Sequence, residues 1–258
     1  MIRYEMAEAV ATVTLDRPEA MNSLTVEVKR ALLGALRRAA GDRAVRAVLL
    51  TGSGRAFCAG QDLREHAANL EAGRGLDNTV REHYNPIVEL IATMPKPVVA
   101  AVNGVAAGAG ASLAFACDLR VASERATFVP AFAGIGLAPD SGASWTLQRL
   151  IGRGRAAEVM LLGEPIDAAR ALELGLVTRV APADDVLKTA HELAARLASG
   201  PTLAYAATKR ALDHAATHPL PDALALEADL QDECVATRDH RAATGAFLAK
   251  ELPTFIGE

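Results

Sequence analysis

Between Pro97 and Cys117 the chain runs 21 residues without a charged side chain. That length is nominally enough to span a bilayer as one helix. The composition argues otherwise: the run is mostly Ala and Gly, with Asn103 and Ser112 inside it. It also divides in two. Pro97-Val-Val-Ala-Ala-Val102 reads as a short apolar strand, and Asn103 to Ser112 as a glycine-rich turn opening a helix, predicted over 108–116. A buried strand-turn-helix, not a membrane span, is the expectation.

The flanking sequence fits such a unit. Residues 9–15 predict a strand with Thr12 and Thr14 on one face. Residues 25–40 carry Val28, Leu32, Leu33 and Leu36 at helical period. Strands are predicted over 47–51, 119–122 and 177–180, and helices over 85–94, 141–150 and 156–162. From Asp184 to about Lys250 the pattern is helical throughout. Alternating strands and helices predict an α/β core over residues 1–200. Gly200-Pro201 marks the best internal boundary, and the helical region 201–258 is of the kind that docks another subunit. With aromatics at 4% of 258 residues, the core must be built from Ala, Val and Leu.

Several function classes recede. The net charge of −4 gives no general basic field for nucleic acid or an acidic membrane. Glu5, Glu8 and Asp16 interrupt any signal-peptide core. Cys58, Cys117 and Cys234 lack metal-ligand spacing and suit a reducing, cytoplasmic setting. The six histidines are scattered, and no phosphate-binding loop, dinucleotide fingerprint or zinc motif occurs, so no metal site is expected.

Three segments can carry chemistry. Phe57-Cys58-Ala59-Gly60-Gln61-Asp62-Leu63 follows a predicted strand, and Asn103 to Ser112 opens a predicted helix. Small residues let a ligand approach backbone N–H groups, and two converging N–H groups form an oxyanion hole. The same residues also serve tight helix–strand packing. The third segment, Ile135 to Trp145, places Asp140 between a proline and a helix start, where an acid is most often an N-cap. Its other role is a proton shuttle within an apolar pocket, for which Phe128, Phe132, Ile135, Leu137 and Trp145 are candidates.

At these segments the chain resembles the crotonase superfamily, the enoyl-CoA hydratases and isomerases. Leu15-Asp16-Arg17-Pro18 with Asn22-Ser23-Leu24 resembles an N-terminal signature, and Ala246-Phe247-Leu248-Ala249-Lys250 a C-terminal one. The resemblance implies a spiral of ββα units whose C-terminal helical region is used for trimerisation, giving a homotrimer or homohexamer. It implies an acyl-CoA thioester substrate with no other cofactor. Backbone N–H groups of Ala59 and Ala109 would hold the thioester oxygen. Gly60, Gln61, Asp62, Leu63, Gly108 and Phe132 would line the acyl-CoA groove, and Lys250 would meet CoA from a neighbouring subunit.

The departures bear on the reaction. Where hydratases of that superfamily carry two glutamates, this chain has Ser112 and Phe132, and Asp140 falls where several isomerases carry an acid. Tyr84-Asn85-Pro86, the run Val105 to Ala111 and Gly136 to Asp140 look like the subgroup acting on ring-epoxidised phenylacetyl-CoA. The expectation is an acyl-CoA isomerase with Asp140 as proton shuttle. A hydratase is the alternative, and a non-catalytic or RNA-binding relative the distant one.

Overall fold

A computed structural model describes residues 1–76 and 78–258. The uncharged run is three separate elements: β5 (Val98–Val102), β6 (Val105–Ala107) and α4 (Ala109–Ala116). Among the described residues no helix is long and apolar enough to cross a membrane. Every residue of α4 is buried. Such all-round burial explains why it carries no charge and almost no amphipathic pattern.

Two sheets organise the fold. The larger has the order β1 (Ile2–Ala7), β2 (Val10–Leu15), β3 (Ala47–Gly52), β5, β7 (Leu119–Ser123), β10 (Arg179–Ala181). Only the β1–β2 pair in it is antiparallel. The smaller has the order β4 (Ala56–Cys58), β6, β8 (Thr127–Val129), β9 (Ile166–Asp167). Successive pairs β3/β4, β5/β6 and β7/β8 each place their first strand in the large sheet and their second in the small one. A helix then follows: α2 (Leu63–Glu71) and α3 (Asn85–Thr93), then α4, then α5 (Ala143–Leu162). These are three turns of a ββα spiral.

The large sheet is covered on both faces, so its strands read as continuous apolar runs. Val48, Leu50, Val98 and Ala100 face the main core, with Leu32 and Leu36 of α1 (Val26–Gly41). Ala47, Leu49, Val99 and Ala101 face a second core closed by Ala190, Leu193 and Ala194 of α7 (Val186–Ala198). The predicted strands and long helices match these elements to within about two residues at most ends. Helices predicted over 141–150 and 156–162 are the two arms of α5, whose backbone breaks at Gly152. The sequence reading missed β1, α6 (Ala168–Leu174) and the whole small sheet, whose strands are two or three residues long. Strands that short carry no measurable period.

The remaining helices are α8 (Thr202–Ala215), α9 (Leu220–Val235) and α10 (Arg238–Ala249). Lys209 ties α8 to the core through Asp118 at 2.8 Å, and the Arg46 side chain reaches Thr202, Gly200 and Phe255. Apolar side chains stand exposed at the end of this region: Phe247 of α10 is 82% and Leu252, just beyond it, 95% exposed.

One contact locks α4 against the small sheet. A Cβ on Gly110 would collide with the Cys58 carbonyl oxygen, so the helix meets β4 through bare Cα. Gly110→Ala is therefore expected to destabilise the fold by about 1–3 kcal/mol. Gly34→Ala, on the exposed face of α1 with open space around it, is expected to stabilise by up to about 1 kcal/mol. Urea titration of both variants checks the pair.

Candidate active site

A cavity of about 150 Å³ lies where the three segments meet. Ala59, Gly60 and Gln61 form one wall, Gly108 and Ala109 a second, and Phe132, Ile135, Leu137 and Asp140 a third. Leu63, His66, Leu76, Thr79, Tyr84 and Ala131 complete it.

The backbone donors differ in part from expectation. The Ala59 N–H donates to the Met21 carbonyl at 3.0 Å, so it is taken. Two residues on, the chain pairs with Leu24: the Leu24 N–H donates to the Gly60 carbonyl, and the Asp62 N–H donates to the Leu24 carbonyl. Hydrogen-bonding direction alternates along a strand, so the intervening Gln61 N–H points away from Leu24. It has no acceptor among the described residues. The Ala109 N–H is likewise without one, as a first-turn helical N–H is. Gly60 joins the two donors. It has φ +83, and a Cβ there would lie 2.7 Å from the Ala107 carbonyl oxygen and 3.4 Å from the Ala109 nitrogen. Gln61 and Ala109 are thus the free pair, and Ala59 is a wall residue whose N–H anchors the strand.

The N-terminal signature is a clamp on this segment. Asn22 Nδ2 donates to the Ala56 carbonyl at 2.7 Å and to that of Ser53 at 2.9 Å. The Ser23 hydroxyl and the Arg17 guanidinium both donate to Asp62 Oδ2, at 2.9 and 3.2 Å. Asp62 Oδ1 accepts the Arg64 and Glu65 N–H groups, capping α2. Burial alone would raise the Asp62 carboxyl. The Glu65 N–H, the Ser23 hydroxyl and Arg17 outweigh it and hold it below its ordinary value. Asp62 therefore supports the site from behind and does not line the cavity. Cys58 is buried, its thiol pushed up to about 12, so it is a neutral packing residue and not a nucleophile.

Asp140 is not a helix cap. The N-cap position of α5 is Gly142, and no side chain caps that end. The Asp140 carboxylate instead accepts from the Ser141 hydroxyl at 2.8 Å. Ser141 is buried in the left-handed region at φ 51, a strained conformation for a residue with a Cβ. Burial raises the Asp140 carboxyl above its ordinary value, and the Ser141 hydroxyl and the Lys29 ammonium temper the rise. Among the described residues that line the cavity, Asp140 is the only carboxylate.

Some candidates lie elsewhere. Phe128 is in the core, stacked on Phe115, and Trp145 is half-exposed beneath the Arg149 guanidinium, so neither walls the cavity. Ser112 is buried within α4, its hydroxyl donating to the Gly108 carbonyl. Lys250 follows α10 on the exposed surface and does not line this subunit's own cavity; the expected contact is with a neighbouring subunit's CoA. Among the described residues no three His, Cys, Asp or Glu side chains gather into a metal-sized cluster. Sequence reasoning quoted Tyr84 only for its resemblance, gave Leu76 and Thr79 no role, and missed Lys29 altogether. Lys29 occupies an apolar position of α1, in phase with Leu32 and Leu36, and is fully buried. That misplaced charge was the available signal.

Comparisons over the whole chain identify its family. Residues 5–258 match the enoyl-CoA hydratase/isomerase family model. The chain belongs to the enoyl-CoA hydratase/isomerase family. It is 47% identical to a Rhodobacter capsulatus protein named "Probable enoyl-CoA hydratase", over 99% of this chain and 98% of that one. It is 42% identical to the 1,2-epoxyphenylacetyl-CoA isomerase of Escherichia coli, over 100% and 98%. A crystal structure from Mycobacterium abscessus, described as of the enoyl-CoA hydratase/isomerase kind, superposes with a TM-score of 0.96 at 47% identity. That match covers 100% of both chains.

The strained, buried Asp140 has a stability signature. A carboxyl whose folded pKa is raised penalises the fold once it ionises, and the penalty is absent below its unfolded value near 3.8. Asp140→Asn is expected to stabilise the fold at pH 7 by about 1.4 kcal/mol per pKa unit of the shift, discounted for solvent screening, and so to raise the melting temperature. The gain should vanish as pH falls below about 4. Thermal scans across pH check this; equal melting temperatures at pH 7 would contradict it.

Proposed function

We propose that this family member is an acyl-CoA isomerase working through a thioester enolate, with Asp140 as the proton shuttle. The observation that carries the reading is the pairing, in one cavity, of a single raised-pKa carboxylate with two unengaged backbone N–H groups.

For a 3-enoyl-CoA, the ionised Asp140 takes the α-proton. The C–H pair becomes the C1–C2 double bond of a dienolate, and the thioester carbonyl becomes an oxyanion. The Gln61 and Ala109 N–H groups donate to that oxygen, and the positive end of α4 favours its charge. Protonated Asp140 then returns the proton to the γ-carbon, the double bond moves into conjugation, and the carbonyl re-forms. General base help is worth roughly 10²–10⁴-fold, and each oxyanion donor about 10²–10³-fold. A raised carboxyl pKa suits both halves, since the same group must accept and release the proton near neutral pH.

Hydration asks for more. Water must be activated at the β-carbon while a proton is delivered at the α-carbon, and Ser112 and Phe132 bring no carboxylate to the cavity. The apolar walls favour an apolar acyl group. A cavity of about 150 Å³ is of the size that holds a benzene ring. This supports the ring-epoxide phenylacetyl-CoA substrate as well as a short 3-enoyl chain. The name of the Rhodobacter capsulatus relative favours the hydratase alternative. We further propose a homotrimer or homohexamer, because the exposed Phe247, Leu248 and Leu252 line the outer side of the 201–258 helical region.

A paired assay separates the two reactions. Purified protein is expected to convert a 3-enoyl-CoA to the conjugated 2-enoyl-CoA, and to hydrate crotonyl-CoA slowly or not at all. Asp140→Asn is expected to lower kcat at least about a hundredfold while CoA-thioester binding persists. Hydration without isomerisation would overturn the proposal.

A further inference from the structure

Lys29 is the least expected side chain in the molecule: a fully buried ammonium with no ion-pair partner among the described residues. Buried charges are ordinarily paired because desolvation is costly. Lys29 instead donates to Gln61 Oε1 at 3.0 Å and to Thr79 Oγ1 at 2.5 Å, and lies 4.7 Å from the centre of the Tyr84 ring.

The surrounding hydrogen bonds are fully directed. Gln61 Oε1 also accepts from the Tyr84 hydroxyl at 2.7 Å, which fixes the carboxamide orientation. Lysine has no acceptor, so the Thr79 hydroxyl accepts from Lys29 and is free to donate to His83 Nδ1, 3.1 Å away. Burial, Lys29 and Arg30 push the His83 pKa down, favouring the neutral ring. Among the described residues, the charged groups acting on Lys29 are Glu65 and Asp62 at the start of α2 and Asp140 ahead of α5, all of which favour its protonated form against burial. Glu82 and Arg30 act on the His83 side.

We propose that Lys29 is a positioning residue of the acyl-CoA site: its ammonium holds the Gln61 carboxamide, and with it the segment bearing the Gln61 N–H, and places a positive charge behind the cavity wall that Gln61 shares with Asp140. The inference rests on the isomerase reading for its catalytic meaning. Gln61 is held at two points, by the Leu24 pairing of its neighbours and by Lys29 and Tyr84 on its side chain. The charge acts on Asp140 without touching substrate. It favours the carboxylate against the upward push of burial.

The test uses Lys29→Met, which removes charge and hydrogen bonds, and Lys29→Gln, which keeps polar contact without charge. Two quantities are read for each folded variant. One is the pH profile of kcat/KM for isomerisation. The other is the Asp140 titration in protein carrying ¹³C-carboxyl aspartate, its resonance identified with Asp140→Asn. Removing a nearby positive charge disfavours the carboxylate. The acid limb and the NMR midpoint are therefore both expected to move to higher pH, with kcat down about tenfold to a hundredfold and KM changed less. If Lys29→Met does not fold, Lys29→Gln carries the test. Wild-type kcat with both midpoints unmoved would overturn the proposal and leave Lys29 as core filling; a fall in kcat with both midpoints unmoved would strike the charge effect on Asp140 and leave the hold on Gln61. A shifted NMR midpoint in a protein whose wild type isomerises nothing would support the Lys29–Asp140 coupling and sink the isomerase reading instead.

Discussion

The site depends on one close approach between backbones. Gly110 of α4 lies against the Cys58 carbonyl, and Gly60 lies against the Ala107 carbonyl. At neither place is there room for a Cβ. This contact brings the N-terminal end of α4 beside the strand end that carries Gln61, leaving two N–H groups unengaged at one cavity. The alternatives of packing and ligand approach, both open from sequence, turn out to be one feature. Tight helix–strand packing is what makes the two N–H groups neighbours. The clamp by Asn22, Ser23 and Arg17 then fixes the strand end from the opposite side.

Around that fixed backbone the electrostatics are arranged with few groups. Asp140 is desolvated, strained through Ser141, and countered by the Ser141 hydroxyl and a buried lysine. Each feature is a local cost in stability, of the kind that collects at working sites and is rare elsewhere. Preorganisation of this sort supplies charge stabilisation without solvent reorganisation at the moment of proton transfer.

Much of this was legible in the chain, and the failures have physical causes. Strands buried on both faces, such as Val98–Val102, announce themselves because no polar alternation interrupts them. The second strand of each spiral turn does not, since β4, β6 and β8 are three residues long and carry no period. Asp140 was identifiable as a candidate, but proline-acid-helix spacing alone also fits a cap, and only the placement of Gly142 at the cap position excludes that role. The donor next to Ala109 was displaced by two residues. Which N–H of Ala59-Gly60-Gln61 faces the cavity is set by pairing with Leu24 and Met21, far away in sequence. Lys29 was passed over because the apolar stripe of α1 was read without asking which residue in phase with it was charged.

The central claim is that a single carboxylate moves a proton from the α- to the γ-carbon. The most direct test is a single turnover of α-deuterated 3-enoyl-CoA in ¹⁸O-water, followed by mass spectrometry. The account predicts a conjugated 2-enoyl-CoA free of ¹⁸O, with deuterium recovered at the γ-carbon. Recovery of the 3-enoyl-CoA unconverted, while crotonyl-CoA in the same solvent takes up ¹⁸O at its β-carbon, would contradict it and support the hydratase alternative.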